Sequence, residues 1–152
     1  MALTIYVILC WLLVALLIFE KNLLGKKGQV LLLMFGVFIN THAYLIISDP
    51  IKLIHVSTEP TKYIGFVLYR SFVLPLLLTI IVNRFIYYRS VGKILSLLVI
   101  SIGLFWVIEV VNIKLQLFQY KNWSVFASIF YLTSLLLVEL TIMQLVRKRG
   151  WT

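Results

Sequence analysis

Acidic side chains are scarce in this chain, with five Asp and Glu against fourteen Lys and Arg. Charge of either sign amounts to 12% of the residues, about half of what a soluble domain carries. Cysteine occurs once, as Cys10, so no intrachain disulfide can form. The bland reading of that thiol is a small apolar packing residue. The chain has no P-loop, no Gly-rich dinucleotide motif and no metal-ligand spacing of Cys or His. It also has no His-Glu-x-x-His and no readable Ser/His/Asp set. Nucleotide, zinc and hydrolytic chemistry are therefore not expected. The expectation is a non-enzymatic protein with no cofactor and no metal.

What is present is hydrophobic sequence: 62% of the residues, with a mean hydropathy of +1.07. It falls into five runs, at 3–19, 30–48, 64–82, 94–112 and 124–146. A helix rises about 1.5 Å per residue, so runs of this length match a hydrocarbon core of about 30 Å. An isolated strand in lipid would leave its backbone groups unpaired, so each run is expected to be a helix. The connections are too short to hold a soluble domain, the longest being 49–63. The fold class expected is all-α integral membrane, one transmembrane domain over 1–152 formed by a five-helix bundle. The first run has no basic segment before it, and Phe19-Glu20-Lys21-Asn22 offers no small-residue cleavage site. It is expected to stay as a helix.

The net charge of +9 would suggest nucleic acid in a soluble protein. Here the basic residues sit in short loops beside the spans, where topology and anionic headgroups account for them. No nucleic-acid partner is expected. Lys21, Lys26 and Lys27 follow the first span, Arg84, Arg89 and Lys93 the third, and Arg147, Lys148 and Arg149 the fifth. The other side has Lys52, Lys62, Lys114 and Lys121. This bias predicts N-terminus out and C-terminus in. It also requires the third run to cross, because otherwise the bias collapses. Tyr87, Tyr88 and Trp151 at inner ends, with Tyr63, Tyr120 and Trp123 at outer ends, read as interfacial anchors. The connections 49–63 and 113–123 read as segments lying along the interface, the second with Ile113, Leu117 and Tyr120 at helical spacing.

Charges inside the runs need a reason. Arg70 lies six residues below the outer end of the third run, and His42 six below that of the second, roughly 9 Å down in each case. Glu109 is three residues from the outer end of the fourth run, and Asn112 shares its face. Asn40 adjoins His42. Arg70, Glu109, His42, Asn112 and Asn40 therefore form a candidate polar cluster in the outer half. Three readings of Arg70 are open: a side chain snorkelling to headgroups, a structural pair with Glu109, or a ligand site built on that pair. Pro75 is expected to kink the third span and to free the Ser71 carbonyl. Glu139 is a separate carboxyl in the inner half, with Arg84, Asn83 or Ser101 as candidate partners. It is either part of a proton or ion path or a residue near the interface.

The segments Trp106-Val107-Ile108-Glu109-Val110-Val111-Asn112 and Tyr120-Lys121-Asn122-Trp123 carry one resemblance. A span ending in a Glu-containing stretch, a short aromatic outer loop and a last span is similar to small multi-span membrane proteins of spore-forming Gram-positive bacteria. It covers about a third of the chain, without the His-Trp-rich outer loop of that group. The resemblance implies a bacterial plasma membrane and no particular activity. The function expected is that of an accessory, sensor or stabilising subunit acting through helix contacts. The lipid bilayer is its first partner, and a second membrane protein or another copy of the chain a further one. The alternative is a small transporter or ligand-binding protein with an outward-facing site at Arg70, Glu109 and His42.

Overall fold

The computed structural model describes residues 2–20, 23–88 and 90–148. Lys21, Asn22, Arg89, Arg149 and Trp151 lie outside the described residues. Five helices in it are long and apolar enough to cross a membrane. The elements are α1 (Ala2–Phe19), α2 (Gly25–Ser48), β1 (Ile54–Val56), α3 (Pro60–Leu68), a π-helical turn (Tyr69–Val73), α4 (Leu74–Tyr87), α5 (Val91–Lys114), β2 (Phe118–Tyr120) and α6 (Val125–Lys148).

Breaks fall where the chain chemistry puts them. Gly25 opens α2 at φ 71°, a left-handed conformation that glycine adopts without penalty. Asp49-Pro50 follows the end of α2. Glu59 is extended and Pro60 takes the first position of α3, where its missing N–H costs nothing. A hydrogen bond from Lys62 holds the exposed Glu59 carboxyl below its ordinary range.

The third hydrophobic run becomes the centre of the bundle. The helix from Pro60 to Tyr87 is continuous, and 67% of its apolar window is buried, against 11% for α1 and 17% for α5. It begins four residues earlier and ends five later than the hydrophobic run predicts. α1 packs along α3 and α4, α2 against the π turn and α4, and α6 against α2, α4 and α5. The disturbance expected from Pro75 takes the form of a widened turn: the Leu74 N–H reaches back to the Tyr69 carbonyl, one residue further than in an α-helix. Proline would crowd the carbonyl four residues back, and the wider turn comes immediately before it. The inserted residue turns the inward face by about 100°, and Tyr69, Arg70 and Val73 are all buried there.

The connections 49–63 and 113–123 each carry a short strand, and the helical spacing of Ile113, Leu117 and Tyr120 does not continue as a helix beyond Lys114. β1 and β2 pair antiparallel, with Ile54 opposite Tyr120, His55 opposite Gln119 and Val56 opposite Phe118. Leu53 O accepts from Lys121 N at 2.9 Å, and Leu117 O from Ser57 N at 3.0 Å. This ladder satisfies backbone groups that a short apolar loop would leave open. Lys52 and Gln116, both at φ 54°, turn the chain into it. Ile54 and Phe118 then point inward, and Phe118 meets the Phe66 ring edge-on at 5.8 Å. The ladder marks one end of the bundle, called here the strand end. Lys26, Lys27, Arg84 and Lys93 mark the other, basic end.

Candidate functional site

α2, α5 and α6 each bury a narrow stripe, and that stripe includes polar residues. On α2 the buried residues are Gly28, Leu32, Gly36, Asn40 and Tyr44, one turn apart. On α5 they are Ser101, Phe105, Glu109 and Asn112. Ser128, Leu132, Leu136, Glu139 and Met143 are buried on α6. Spacings of three and four place such residues on one face of a helix.

Glu109 is the centre of the strand-end cluster and is fully buried. Its Oε1 accepts from the Tyr69 hydroxyl at 2.9 Å and from the Tyr44 hydroxyl at 3.4 Å. Its Oε2 accepts from the Tyr120 hydroxyl at 2.7 Å. Burial and the neighbouring Glu109 charge push the Tyr120 phenol above its ordinary range. The Tyr120 hydroxyl also lies 3.0 Å from Ser128 Oγ, which accepts from Trp123 Nε1 at 2.8 Å. One carboxylate thereby joins α5 to α2, the π turn, β2 and α6. Beside it, the Tyr6 hydroxyl donates to Asn112 Oδ1 and brings in α1. One turn along α2, the Tyr131 hydroxyl donates to Asn40 Oδ1 at 3.0 Å.

The residues predicted to meet do so only in part. Glu109 is the hub of the hydroxyl network, and Asn112 and Asn40 each accept from a separate tyrosine, Tyr6 and Tyr131. Arg70 does not pair with Glu109: its guanidinium lies over the Phe66 ring, 5.3 Å from the centroid, and its Nε has no hydrogen-bond partner among the described residues. Tyr69, the residue before it, faces Glu109 instead. His42 is exposed on the far side of α2, where Nδ1 donates to the Phe38 carbonyl at 2.8 Å and the ring packs on Phe38. Thr41 bridges instead to Ser71, at 3.4 Å.

Glu139 is buried in the α2–α6 contact. Neither carboxylate oxygen has a hydrogen-bond partner among the described residues. A Cβ at Gly36 would stand 3.0 Å from Oε1 and 3.1 Å from Pro75 Cβ, so the missing side chain makes room for the carboxyl. The partners expected for Glu139 are engaged elsewhere. Arg84 pairs with Glu20, Asn83 Nδ2 donates to Glu20 Oε2 at 3.3 Å, and Ser101 donates to the Leu97 carbonyl at 2.7 Å.

Sequence reasoning missed the tyrosines. Tyr6, Tyr44, Tyr69 and Tyr131 lie within the spans, away from the interfacial positions that hydropathy explains. Tyr120 and Trp123, read as interfacial anchors, also carry the network into the strand end. The available signal was spacing: Tyr44 is four residues from Asn40, and Asn112 three from Glu109.

The arrangement is a clamp. Both oxygens of Glu109 are taken by phenols, and no face of the carboxylate meets solvent. A polar cleft of about 270 Å³ does lie on the ladder, between His55, Ser57, Thr58, Lys62 and the Gln116 and Gln119 amides, and Glu109 is not among its walls. Among the described residues no cluster of His, Cys, Asp and Glu is suited to a metal ion. No protein-family model matches the chain, and neither a curated protein nor a solved structure does.

Proposed function

We propose that this chain is a small, non-enzymatic integral membrane protein with five spans, N-terminus outside and C-terminus inside. It works through helix contacts as an accessory, sensor or stabilising subunit. The observation that carries this reading is the closed state of the polar cluster. Glu109 spends its hydrogen-bonding capacity on three tyrosines from the bundle itself, and Arg70 and His42 stand apart from it. A transport or ligand site at Arg70, Glu109 and His42 would need an open polar cavity between them. The bacterial plasma membrane is the setting this reading assigns, with the basic loops on the inner side.

The outer face of α5 is the surface offered to a partner. Gly92, Ser96 and Gly103 are exposed there, and a Cβ at either glycine would meet nothing within 4 Å. Small residues permit the close backbone approach on which helix association in lipid depends. The test is site-specific photo-crosslinking in native membranes from Val99 and Val107, with Met34 on α2 as the comparison. The expected result is one protein adduct of the same mass from both α5 positions. Lipid adducts alone, from all three positions, would count against the reading.

A further inference from the structure

The two faces of α2 differ in a way that assigns them different neighbours. Its inward face holds Gly28 and Gly36, and a Cβ at either would stand 3.0 Å from α6, meeting Met143 Cε and Glu139 Oε1 respectively. Its outward face begins with the exposed pair Lys26 and Lys27 and continues as Val30, Leu31, Met34, Phe35 and Phe38. These residues line a shallow, open trough, and among the described residues α2 alone supplies its walls. The trough therefore opens sideways, toward whatever surrounds the bundle.

Three features identify the occupant. The apolar part contains no Gly, Ala or Ser, so a partner helix would be held off by Met and Phe side chains where helix–helix contacts in lipid favour small residues. Flexible acyl chains fit such a surface. From Lys27 to Phe38 the helix rises roughly 17 Å, about half of a 30 Å hydrocarbon core, so the trough spans one leaflet. The two lysines stand at its basic end, at headgroup level, where each attracts an anionic lipid. A second copy docked about a two-fold axis parallel to the helices would set these lysines against their own images. We propose that the α2 trough is a binding site for an anionic phospholipid, with its phosphate on Lys26 and Lys27 and an acyl chain along Val30 to Phe38.

The proposal rests on the membrane reading above, and its test separates the two. The protein is reconstituted into nanodiscs, and the association of spin-labelled phosphatidylglycerol is compared with that of spin-labelled phosphatidylcholine. The expected preference for phosphatidylglycerol is roughly fivefold per lysine. The paired substitution Lys26→Gln and Lys27→Gln removes it, and raised salt weakens it. Lys93→Gln is the control, because Lys93, on α5, belongs to the same end but sits over the Tyr88 ring; it leaves the preference in place. A preference reduced equally by Lys93→Gln means diffuse attraction to the basic end, and it overturns the site. No preference in the unsubstituted protein does the same. Quantitative disulfide dimers of Met34→Cys in a Cys10→Ser background place a second copy in the trough and also overturn it. A chain that fails to enter nanodiscs with its helices intact overturns the membrane reading, and the lipid site with it.

Discussion

At the scale of single residues, the account turns on which side chains answer Glu109. Three phenols do so, one from α2, one from the π turn and one from β2. Replacing Glu109 with Gln keeps an acceptor oxygen and is expected to be mild. Leu at the same position takes the acceptor from three hydroxyls, two of them buried, and should cost about 2–4 kcal/mol, read as a lower midpoint in SDS-induced unfolding from mixed micelles. Arg70 gives the sharper contrast. A buried ion pair broken at one partner would lose about 3–5 kcal/mol, whereas a guanidinium stacked on Phe66 should lose about 1 kcal/mol on substitution by Met. A double-mutant cycle between Arg70→Met and Glu109→Gln is expected to give a coupling within about 0.5 kcal/mol of zero. The cycle between Tyr69→Phe and Glu109→Leu, which removes the acceptor, should give about 0.6–1.7 kcal/mol. The reverse ranking would restore the Arg70–Glu109 pair.

At the scale of elements, the helices were legible from hydropathy and their inward faces were not. The five hydrophobic runs became five span-length helices because both lipid and protein interior demand internally paired backbones. That same equivalence hides the faces: Leu32 is buried and Leu12 exposed, and nothing in leucine tells them apart when both surroundings are apolar. Only polar and small residues mark the inner stripe, as Asn40 and Gly36 do on α2. The strand pairing was hidden for another reason. Ile113, Leu117 and Tyr120 fit helical spacing, but φ 54° at Gln116 breaks the helix and begins the ladder. Of the three readings open for Arg70, the pair with Glu109 is the one the structure does not form: the guanidinium lies over Phe66 at the start of the π turn. The close α2–α6 contact yields a paired prediction. Gly36→Ala puts a methyl against Glu139 and Pro75 and should cost about 1–3 kcal/mol. Gly103→Ala, facing open space on α5, should gain up to about 1 kcal/mol from the reduced helix penalty. Unfolding midpoints of the two variants, measured side by side, check both signs.

At the scale of the whole molecule, the third hydrophobic run is the axis around which the rest assembles. Its central position explains why it contains two of the chain's departures from a plain span, Arg70 and Pro75, without either being exposed to the surroundings. α1 and α5 bury little of their surface, so a soluble monomer would present large apolar patches of the kind that mark a membrane or partner surface. On the proposed membrane reading, the strand end and the basic end lie on opposite sides of a bilayer. The most direct test is cysteine accessibility in intact cells, in a Cys10→Ser background, with Lys26→Cys at the basic end and Lys121→Cys at the strand end. The account predicts that a membrane-impermeant thiol reagent outside the cell labels Lys121→Cys at once and Lys26→Cys only after the membrane is opened. Labelling of both positions from the same side would contradict it.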